Sequence, residues 1–177
     1  PPYLEHALLT PIGDVQWPWH SHAPMFTDDL PDGRRQLVLF DNAVYQAAPF
    51  TAVTPVENYV SRIVAYAIDE NAMTVEQLWS YDNSTVAGPM WSAIMGDADW
   101  LENGNVLAVF GLVSELGGVS NKDLGLDEQT THIVEFDPAT LTDVWHLVVS
   151  APLEMDGEGW SCYRSQRITS IAGRVVD

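Results

Sequence analysis

The densest group of chemically capable side chains is the segment Trp17-Pro18-Trp19-His20-Ser21-His22. On a strand, side chains at positions i and i+2 point the same way, so His20 and His22 first indicate a pair of metal ligands. Zinc needs a third and usually a fourth ligand. The other histidines are scattered, and no cysteine or carboxylate pair follows at ligand spacing. The sequence therefore predicts no metal site, and the alternative is that both histidines are polar groups packed beside tryptophan.

Several polar residues elsewhere have two interpretations each. Arg62 is either a cation that faces a binding channel or one half of a strand-end ion pair, and the ion pair is favoured in so acidic a chain. Asp41 and Asn42 either line a site or form an Asx turn after a strand. Arg164 and Arg167 either reach a pocket or brace the end of the fold, and bracing is favoured.

Other candidate motifs are weaker. Asp97 and Asp99 resemble part of a calcium loop, but their segment lacks the run of oxygen ligands that such a loop needs. At seven tryptophans, most are expected in the core, although Trp19 is retained as a candidate for stacking an aromatic substrate. The sequence has no Gly-x-Ser-x-Gly elbow, phosphate loop or dinucleotide-binding motif.

The strands that must position these residues are predicted from a sequence unit that occurs twice in the chain. The units cover about residues 17–82 and 91–150, and a closing segment covers 160–172. Matching positions lie 70 apart over the first strands and 66 apart at the last tryptophan pair, which predicts a loop deletion after the third strand. The pairs are Phe40 with Phe110, Ile63 with Ile133, and Trp79 with Trp145.

Each unit is predicted to be β-structure. Asp32-Gly33 and Asn103-Gly104 are hairpin dipeptides, because both residues tolerate a positive φ. The flanking segments are short, rich in aliphatic and aromatic residues, and bounded by turn formers. Ile63–Ile68 and Val75–Trp79 form a predicted second hairpin. Three to four repeated strands are typical of a β-propeller blade, and a duplicated β-sandwich is the alternative.

A propeller closes with about four to eight blades, and this chain carries enough strands for two to three. We therefore expect residues 1–177 to be the C-terminal part of one larger all-β propeller domain. The other blades would come from the same chain or from another one. Open sheet edges and apolar faces would otherwise remain exposed.

Composition narrows the classes of partner. The 177 residues are 46% hydrophobic, which is enough for a folded core, and no apolar run approaches the roughly 20 residues of a membrane span. The net charge of −18 argues against binding to nucleic acid or to an anionic membrane surface, since both need a cationic face. A single cysteine, Cys162, excludes an internal disulfide.

Six segments in order resemble the bacterial arylsulfate sulfotransferase family. Its members have a Trp-rich strand that ends in Gln-His, a Phe-Asp-Asn-Gly segment, a Tyr-Ser-Arg strand and a Thr-Val-Glu-Gln hairpin. The matching segments are Trp17–Ala23, Leu39–Ala43, Ser61–Tyr66, Thr74–Tyr81, Gly96–Asn105 and Tyr163–Ile168. The sequence departs from the family at Ser21, where the family has glutamine, and at Ala43, where it has glycine.

The resemblance implies a six-bladed propeller that moves a sulfuryl group from a phenolic sulfate ester to a phenol, with no nucleotide donor or other cofactor. It also implies a transiently sulfated histidine, which the alignment of motifs places at His22. Around it we assign four substrate-binding candidates: Asn42, Arg62, Trp19 and His20. A histidine nucleophile splits one difficult transfer into two easier ones. The resemblance further predicts a periplasmic or extracellular location and an activity that needs blades beyond this chain.

Two other functions remain open from the sequence. One is a non-catalytic propeller that binds a ligand or a partner protein. A homo-oligomer is compatible with this function and with the transferase. The other is an aryl sulfate hydrolase, in which water takes the place of the phenol acceptor. Dependence of turnover on added phenol separates the hydrolase from the transferase.

Overall fold

The computed structural model describes residues 8–47, 52–85, 87–125, 129–151, 159–168, 170–171 and 174–175. Across these ranges the chain is all-β, with no α-helix and one short 3-10 helix at Val56–Asn58. Two large sheets contain most of the strands, and β13 (Ser170–Ile171) and β14 (Arg174–Val175) form a separate antiparallel pair. The prediction of an all-β fold is confirmed.

The first sheet has five strands in the order β1-β5-β4-β3-β2. Four of them form an antiparallel meander, and β1 pairs in parallel with the outer edge of β5. The predicted second hairpin is confirmed as β4 and β5. The strands are β1 (Thr10–Ile12), β2 (Ser21–Phe26), β3 (Arg35–Asp41), β4 (Arg62–Asp69) and β5 (Thr74–Tyr81).

The second sheet repeats this meander. It contains four strands, β8, β9, β11 and β12, that pair in the same antiparallel order as β2 to β5. Two more strands, β7 and β10, pair with the C-terminal end of β9, within residues 113–116. The strands are β6 (Asn83–Ser84), β7 (Gly88–Ser92), β8 (Asp97–Trp100), β9 (Val106–Leu116), β10 (Val119–Ser120), β11 (Thr130–Asp137) and β12 (Thr142–Val149).

The turns of the two sheets repeat at two different spacings. The N–H of Leu30 donates to the carbonyl of Arg34, and the N–H of Leu101 donates to that of Asn105, at positions 71 apart. The second hairpin repeats 68 positions later with equal strand and turn lengths. The loop deletion predicted after the third strand is therefore wrong. The difference in length lies in the longer connection before that strand, because surface connections tolerate insertions better than tight turns.

Equivalent faces of the two sheets point in the same direction. At the spacings of 71 and 68, the cross-strand pair Leu37–Tyr66 corresponds to the pair Ala108–Val134. Leu37 and Tyr66 lie on the far side of the first sheet, whereas Ala108 and Val134 pack between the sheets. The predicted spacing of 70 for the first strands is wrong by one residue. These strands are apolar on both faces, so no alternation of polar residues marks their register.

Aromatic rings fill the space between the sheets. The rings of Phe40 and Phe110 meet edge to face with centroids 5.2 Å apart, and those of Tyr81 and Phe136 stack at 4.0 Å. All four side chains are almost completely buried. Each buried ring contributes roughly 1.5–3 kcal/mol of transfer free energy. These two contacts pack the facing sides of the two sheets against each other.

A C-terminal segment, residues 159–168, lies against the second sheet. The N–H of Cys162 donates to the carbonyl of Gly111 at 3.0 Å, and a Cβ at Gly111 would overlap the carbonyl oxygen of Cys162. Arg167 forms an ion pair with Glu135 at 2.8 Å. This ion pair agrees with the bracing role predicted for Arg167, which also lines an open cavity together with Glu135. The closing segment of 160–172 that the sequence predicts lies partly outside the described residues.

Candidate functional site

His22 is held at the edge of the first sheet, facing the second. It is the second residue of β2 and the cross-strand partner of Phe40. Cross-strand partners share one face of a sheet, and Phe40 packs against the second sheet, so the half-buried imidazole points the same way. Its Nδ1 lies 2.6 Å from Oδ1 of Asn42, which follows β3.

The contacts of Asn42 determine which imidazole nitrogen carries the proton. Nδ2 of Asn42 donates to the carbonyl oxygens of Ser92 at 2.7 Å and Met95 at 2.8 Å. An amide nitrogen has two hydrogens and both are used, so Oδ1 must be the atom that faces His22. This oxygen can only accept, and Nδ1 of His22 therefore donates. The lone pair of the ring is then on Nε2, to which no described residue hydrogen-bonds.

Asp41 and Arg62 form a buried ion pair beside this site. The two groups meet at 2.9 Å, with side-chain exposures of 1% and 7%. The terminal nitrogens of Arg62 donate to the side-chain and backbone oxygens of Gln16 and to the backbone of Trp17. The ion pair favoured for Arg62 is thus confirmed, and contact between Arg62 and a substrate stays a prediction.

Asp41 also organises the backbone before β2 and after β3, the two strands that carry His22 and precede Asn42. Its Oδ1 accepts the N–H of Trp19 at 2.7 Å and the N–H of Ala43 at 3.0 Å. The second bond is the Asx turn predicted at Asp41. The half-buried Trp19 is therefore fixed through its backbone, and stacking of its ring on a substrate remains a prediction.

Strained backbone is concentrated around His22. Five of the seven described non-glycine residues with positive φ lie in the segments that carry or contact His22 and Asn42. They are His20 (φ 57), Ala23 (φ 47), Ala43 (φ 58), Tyr45 (φ 58) and Met95 (φ 65). Such conformations cost about 1–3 kcal/mol each and cluster at functional sites. This concentration independently marks the region as a candidate site.

His20 is separated from His22 by the start of the strand. β2 begins at Ser21, and His20 precedes it with a left-handed φ of 57. The alternation of strand side chains therefore does not extend to His20. Its exposed ring meets the ring of Tyr45 edge to face at 5.5 Å. Across the described ranges, no three histidine, cysteine or carboxylate side chains come together as metal ligands.

The C-terminal segment brings an aromatic ring and a cation to the same place. The ring of Tyr163 meets that of His22 at 6.2 Å in an edge-to-face contact. The guanidinium of Arg164 lies 5.7 Å from the centroid of the Tyr163 ring. Bracing was the role favoured for Arg164, and its side chain instead lines an open cavity.

That cavity has a volume of about 480 Å³ and is bounded by β2, β8 and the C-terminal segment. Its wall includes Ala23, the residue after His22, together with Asp97, Asp99 and Arg164. Burial raises the pKa of both carboxyls above the usual value. Asp99 raises the pKa of Asp97 further, whereas the charge of Arg164 acts in the opposite direction on both.

A close contact attaches β8 to the site. Gly96 has a φ of 139, and a Cβ at this position would overlap the ring of Phe40, the cross-strand partner of His22. Sequence reasoning weighed Asp97 only as a calcium ligand and so missed its place beside β2. The repeat contained the signal, because β8 occupies the position in the second sheet that β2 occupies in the first.

No described helix has the length and apolar character required to cross a membrane.

The comparison with a family model agrees with the motifs. No curated protein matches the chain. The model of the family described as Arylsulfotransferase (ASST) matches residues 2–160, a range that contains His22, Asn42, Arg62 and Asp97 but ends before Tyr163. Since this match spans most of the sequence, the chain belongs to the arylsulfotransferase family.

Proposed function

We propose that this chain carries the nucleophile of an aryl sulfotransferase, and that the nucleophile is Nε2 of His22. The donor is a phenolic sulfate ester, the acceptor is a phenol, and no nucleotide or other cofactor takes part. Membership of the arylsulfotransferase family supports the reaction class. The contact of His22 with Asn42 supports the choice of residue and of atom.

The hydrogen bond from His22 to Asn42 is the observation that carries this proposal. It favours the tautomer with a proton on Nδ1, so that the lone pair of Nε2 is available for attack. It also restrains rotation of the ring. Because Asn42 is itself held by two backbone carbonyls, the acceptor oxygen has a fixed position before the substrate binds.

In both half-reactions, each bond to sulfur that forms is matched by one that breaks, and His22 ends in its starting state. The lone pair of Nε2 attacks sulfur, the bond from sulfur to the aryl oxygen breaks, and the aryl oxygen leaves with the bonding pair. The ring then holds a sulfuryl group on Nε2 and a proton on Nδ1, with a positive charge that Oδ1 of Asn42 stabilises. In the second half-reaction the phenol oxygen attacks sulfur, and Nε2 recovers its lone pair.

The other predicted residues receive distinct roles in this proposal. Arg62 acts through Asp41, because its donors are occupied by Asp41 and by residues 16–17, and it positions the backbone around His22. The ring of Trp19 and the exposed ring of His20 are proposed to contact the aryl part of the substrate. Aromatic rings favour offset and edge-to-face contacts with such a group.

We also propose that the two sheets are successive blades of a larger β-propeller. Their equivalent faces point in the same direction, so that the sheets pack face to back. In face-to-back packing each outer sheet still presents a face on which a further sheet can pack. If the two equivalent faces packed against each other instead, the assembly would be complete with two sheets. The outer strand β12 exposes Val144, Trp145, Leu147 and Val148, as expected where more structure packs.

Mass spectrometry of the natural full-length protein, with all blades of the propeller present, tests the transferase. The protein is mixed with 4-nitrophenyl sulfate in the absence of phenol and digested at low temperature, and the adduct is located by fragmentation. We expect a sulfuryl group on His22 and none on His20. Added phenol should discharge it with formation of phenyl sulfate. The His22→Ala variant should form no adduct while keeping its circular dichroism spectrum.

The remaining outcomes distinguish the alternatives. An adduct that water discharges as quickly as phenol does would identify an aryl sulfate hydrolase. Release of 4-nitrophenol by the His22→Ala variant at the unmodified rate would assign the nucleophile elsewhere. A folded protein that binds the donor without forming any adduct would be a binding module, and the proposal would be wrong.

A further inference from the structure

The cavity beside His22 contains charged groups that the role of His22 does not use. Its wall is formed by three separate parts of the fold, namely β2, β8 and the C-terminal segment. Its volume of about 480 Å³ lies within the range of small-molecule sites in proteins. Two of its lining residues are chain neighbours of the His22 site: Ala23 follows His22 in β2, and Arg164 follows Tyr163, whose ring meets that of His22. The cavity therefore adjoins the proposed nucleophile.

Arg164 is the cation in this wall. Its guanidinium packs on Tyr163, and no described carboxylate lies within ion-pairing distance of it. The arginines Arg62 and Arg167 differ in this respect, because each is paired with a carboxylate, Asp41 and Glu135 respectively. A guanidinium that is free to donate fits the oxygens of a sulfate ester, which it can contact through two parallel N–H bonds.

Asp97 is the buried carboxyl in this wall. Its exposure is 5%, although it lines the cavity together with Arg164. The charged groups that act on its ionisation are Asp99 on the same strand and Arg164 on the C-terminal segment, and the backbone N–H of Ala98 also lowers its pKa. Burial is the largest cause of its raised pKa, so its protonated form persists to higher pH than that of an exposed carboxyl. Such a carboxyl can both give and take a proton.

We propose that this cavity binds the reacting group of the aryl sulfate, with Arg164 on the sulfuryl oxygens and Asp97 on the phenolic oxygen. The inference rests on the proposed function and adds to it the residues that handle charge and proton. It makes the C-terminal segment part of the site as well as a brace.

The proton balances over the two half-reactions. As the bond from sulfur to the aryl oxygen breaks, the carboxylic acid of Asp97 gives its proton to that oxygen, and a neutral phenol leaves. Asp97 is then a carboxylate. It takes the proton of the acceptor phenol while the acceptor oxygen attacks sulfur on Nε2 of His22. Both residues return to their starting states, and Arg164 stabilises the charge on the sulfuryl oxygens in both steps.

Donors with different leaving groups test the role of Asp97. Phenyl sulfate needs a proton on its leaving oxygen, whereas 4-nitrophenyl sulfate releases a stable anion unaided. In the Asp97→Asn variant we expect adduct formation on His22 to slow about 100-fold with phenyl sulfate and less than about threefold with 4-nitrophenyl sulfate. The exposed Asp28 provides the control for net charge, and Asp28→Asn should change neither rate. Equal effects of Asp97→Asn on both donors, or no effect, would overturn the assignment.

A measurement on the unmodified protein covers the case in which Asp97→Asn does not fold. Proton transfer to the leaving oxygen predicts that the rate depends only weakly on the acidity of the phenol across a series of substituted phenyl sulfates. It also predicts a solvent deuterium isotope effect with phenyl sulfate. A steep dependence without an isotope effect would exclude Asp97 as the proton donor.

The binding of the donor tests Arg164. We expect Arg164→Gln to raise the KM for phenyl sulfate about tenfold or more, and Arg164→Lys to recover part of the loss through its charge. An unchanged KM in Arg164→Gln would contradict the sulfuryl contact. The proposed function fails separately, when the unmodified protein forms no adduct on His22. If the adduct forms and only the Asp97 and Arg164 results are negative, this inference alone is wrong.

Discussion

Replacing Asn42 by alanine removes the group on which the proposed chemistry of His22 depends. The side chain of Asn42 is completely buried and makes three hydrogen bonds, at 2.6 Å to His22, 2.7 Å to Ser92 and 2.8 Å to Met95. Alanine leaves the Nδ1–H of the imidazole and two carbonyl oxygens without these partners. The variant should therefore lose both stability and the rate of sulfuryl transfer.

The size of each loss follows from these contacts. A buried polar group left without a partner costs about 1–3 kcal/mol. The half-buried ring of His22 can recover a bond to water, and the carbonyl of Ser92 keeps the hydroxyl of Ser61 as a donor at 3.1 Å, so the carbonyl of Met95 dominates. We therefore expect a decrease of about 1–3 kcal/mol in the free energy of unfolding. Loss of the correct tautomer costs up to about 10⁴ in a histidine-dependent enzyme, and we expect a decrease of about 10²–10⁴ in the rate of adduct formation.

Asn121 provides a matched control. It is also completely buried, and its Nδ2 donates to the carbonyl of Val113 at 2.8 Å, within the second sheet. Asn121→Ala should lower the free energy of unfolding by about 1–3 kcal/mol, yet leave the adduct rate of the folded protein unchanged. Stability is measured by urea unfolding, and the rate by quenched-flow mass spectrometry with 4-nitrophenyl sulfate under conditions where each variant is folded.

Two results would refute this reasoning. If Asn42→Ala loses less than about 1 kcal/mol, the carbonyl of Met95 does not depend on the amide of Asn42. If the folded Asn42→Ala protein forms the adduct at the unmodified rate, the tautomer of His22 is not held by Asn42. A similar rate loss in Asn121→Ala would attribute the effect to general loosening of the sheets.

Three further predictions concern stability. Ala43→Gly should raise the free energy of unfolding by about 0.5–1 kcal/mol in urea, because the φ of 58 strains alanine by more than glycine loses in chain entropy. Arg62→Met should lower the free energy of unfolding by about 3–5 kcal/mol, because it leaves the carboxylate of Asp41 buried and unpaired. Adding Asp41→Asn should recover part of this free energy, which a double-mutant cycle would measure. Burial and the neighbouring His146 lower the pKa of His132 from 6.5 to about 4. In this pH range the folded state binds fewer protons than the unfolded state. The free energy of unfolding should therefore fall by up to about 3 kcal/mol as the pH drops from about 6.5 to 4. Urea titrations of the His132→Gln variant should not show this decrease.

The strands were accessible from the sequence because they depend on local patterns. The turns at Leu30–Arg34 and Leu101–Asn105 contain the dipeptides that tolerate positive φ, and both are turns in the structure. The hairpin of β4 and β5 also lies where its apolar segments predict it. Register was less accessible. The first strands are apolar on both faces, so the repeat could be displaced by one residue without violating any pattern.

The candidate site was only partly accessible. The motif around His22 and the Phe-Asp-Asn segment predicted two residues that the structure brings within 2.6 Å of each other. The sequence favoured an ion pair for Arg62 but did not identify Asp41 and Gln16 as its partners, because that depends on how an edge segment folds back. Asp97 was missed for the same reason, since its neighbour Arg164 is distant in the chain and reaches the cavity through the C-terminal segment.

By itself, the sequence determined the all-β class and the repeated unit, because these depend on residue types and on spacings along the chain, and its resemblance to the arylsulfotransferase family implied His22 as the candidate nucleophile. Only the tertiary structure decided which nitrogen of His22 is available, that Arg62 is occupied, and that Asp97 and Arg164 share a cavity. The physical reason is that proton positions, ion pairs and cavities arise from groups that meet across strands. Those meetings depend on register and packing, which short-range patterns in an apolar strand leave open.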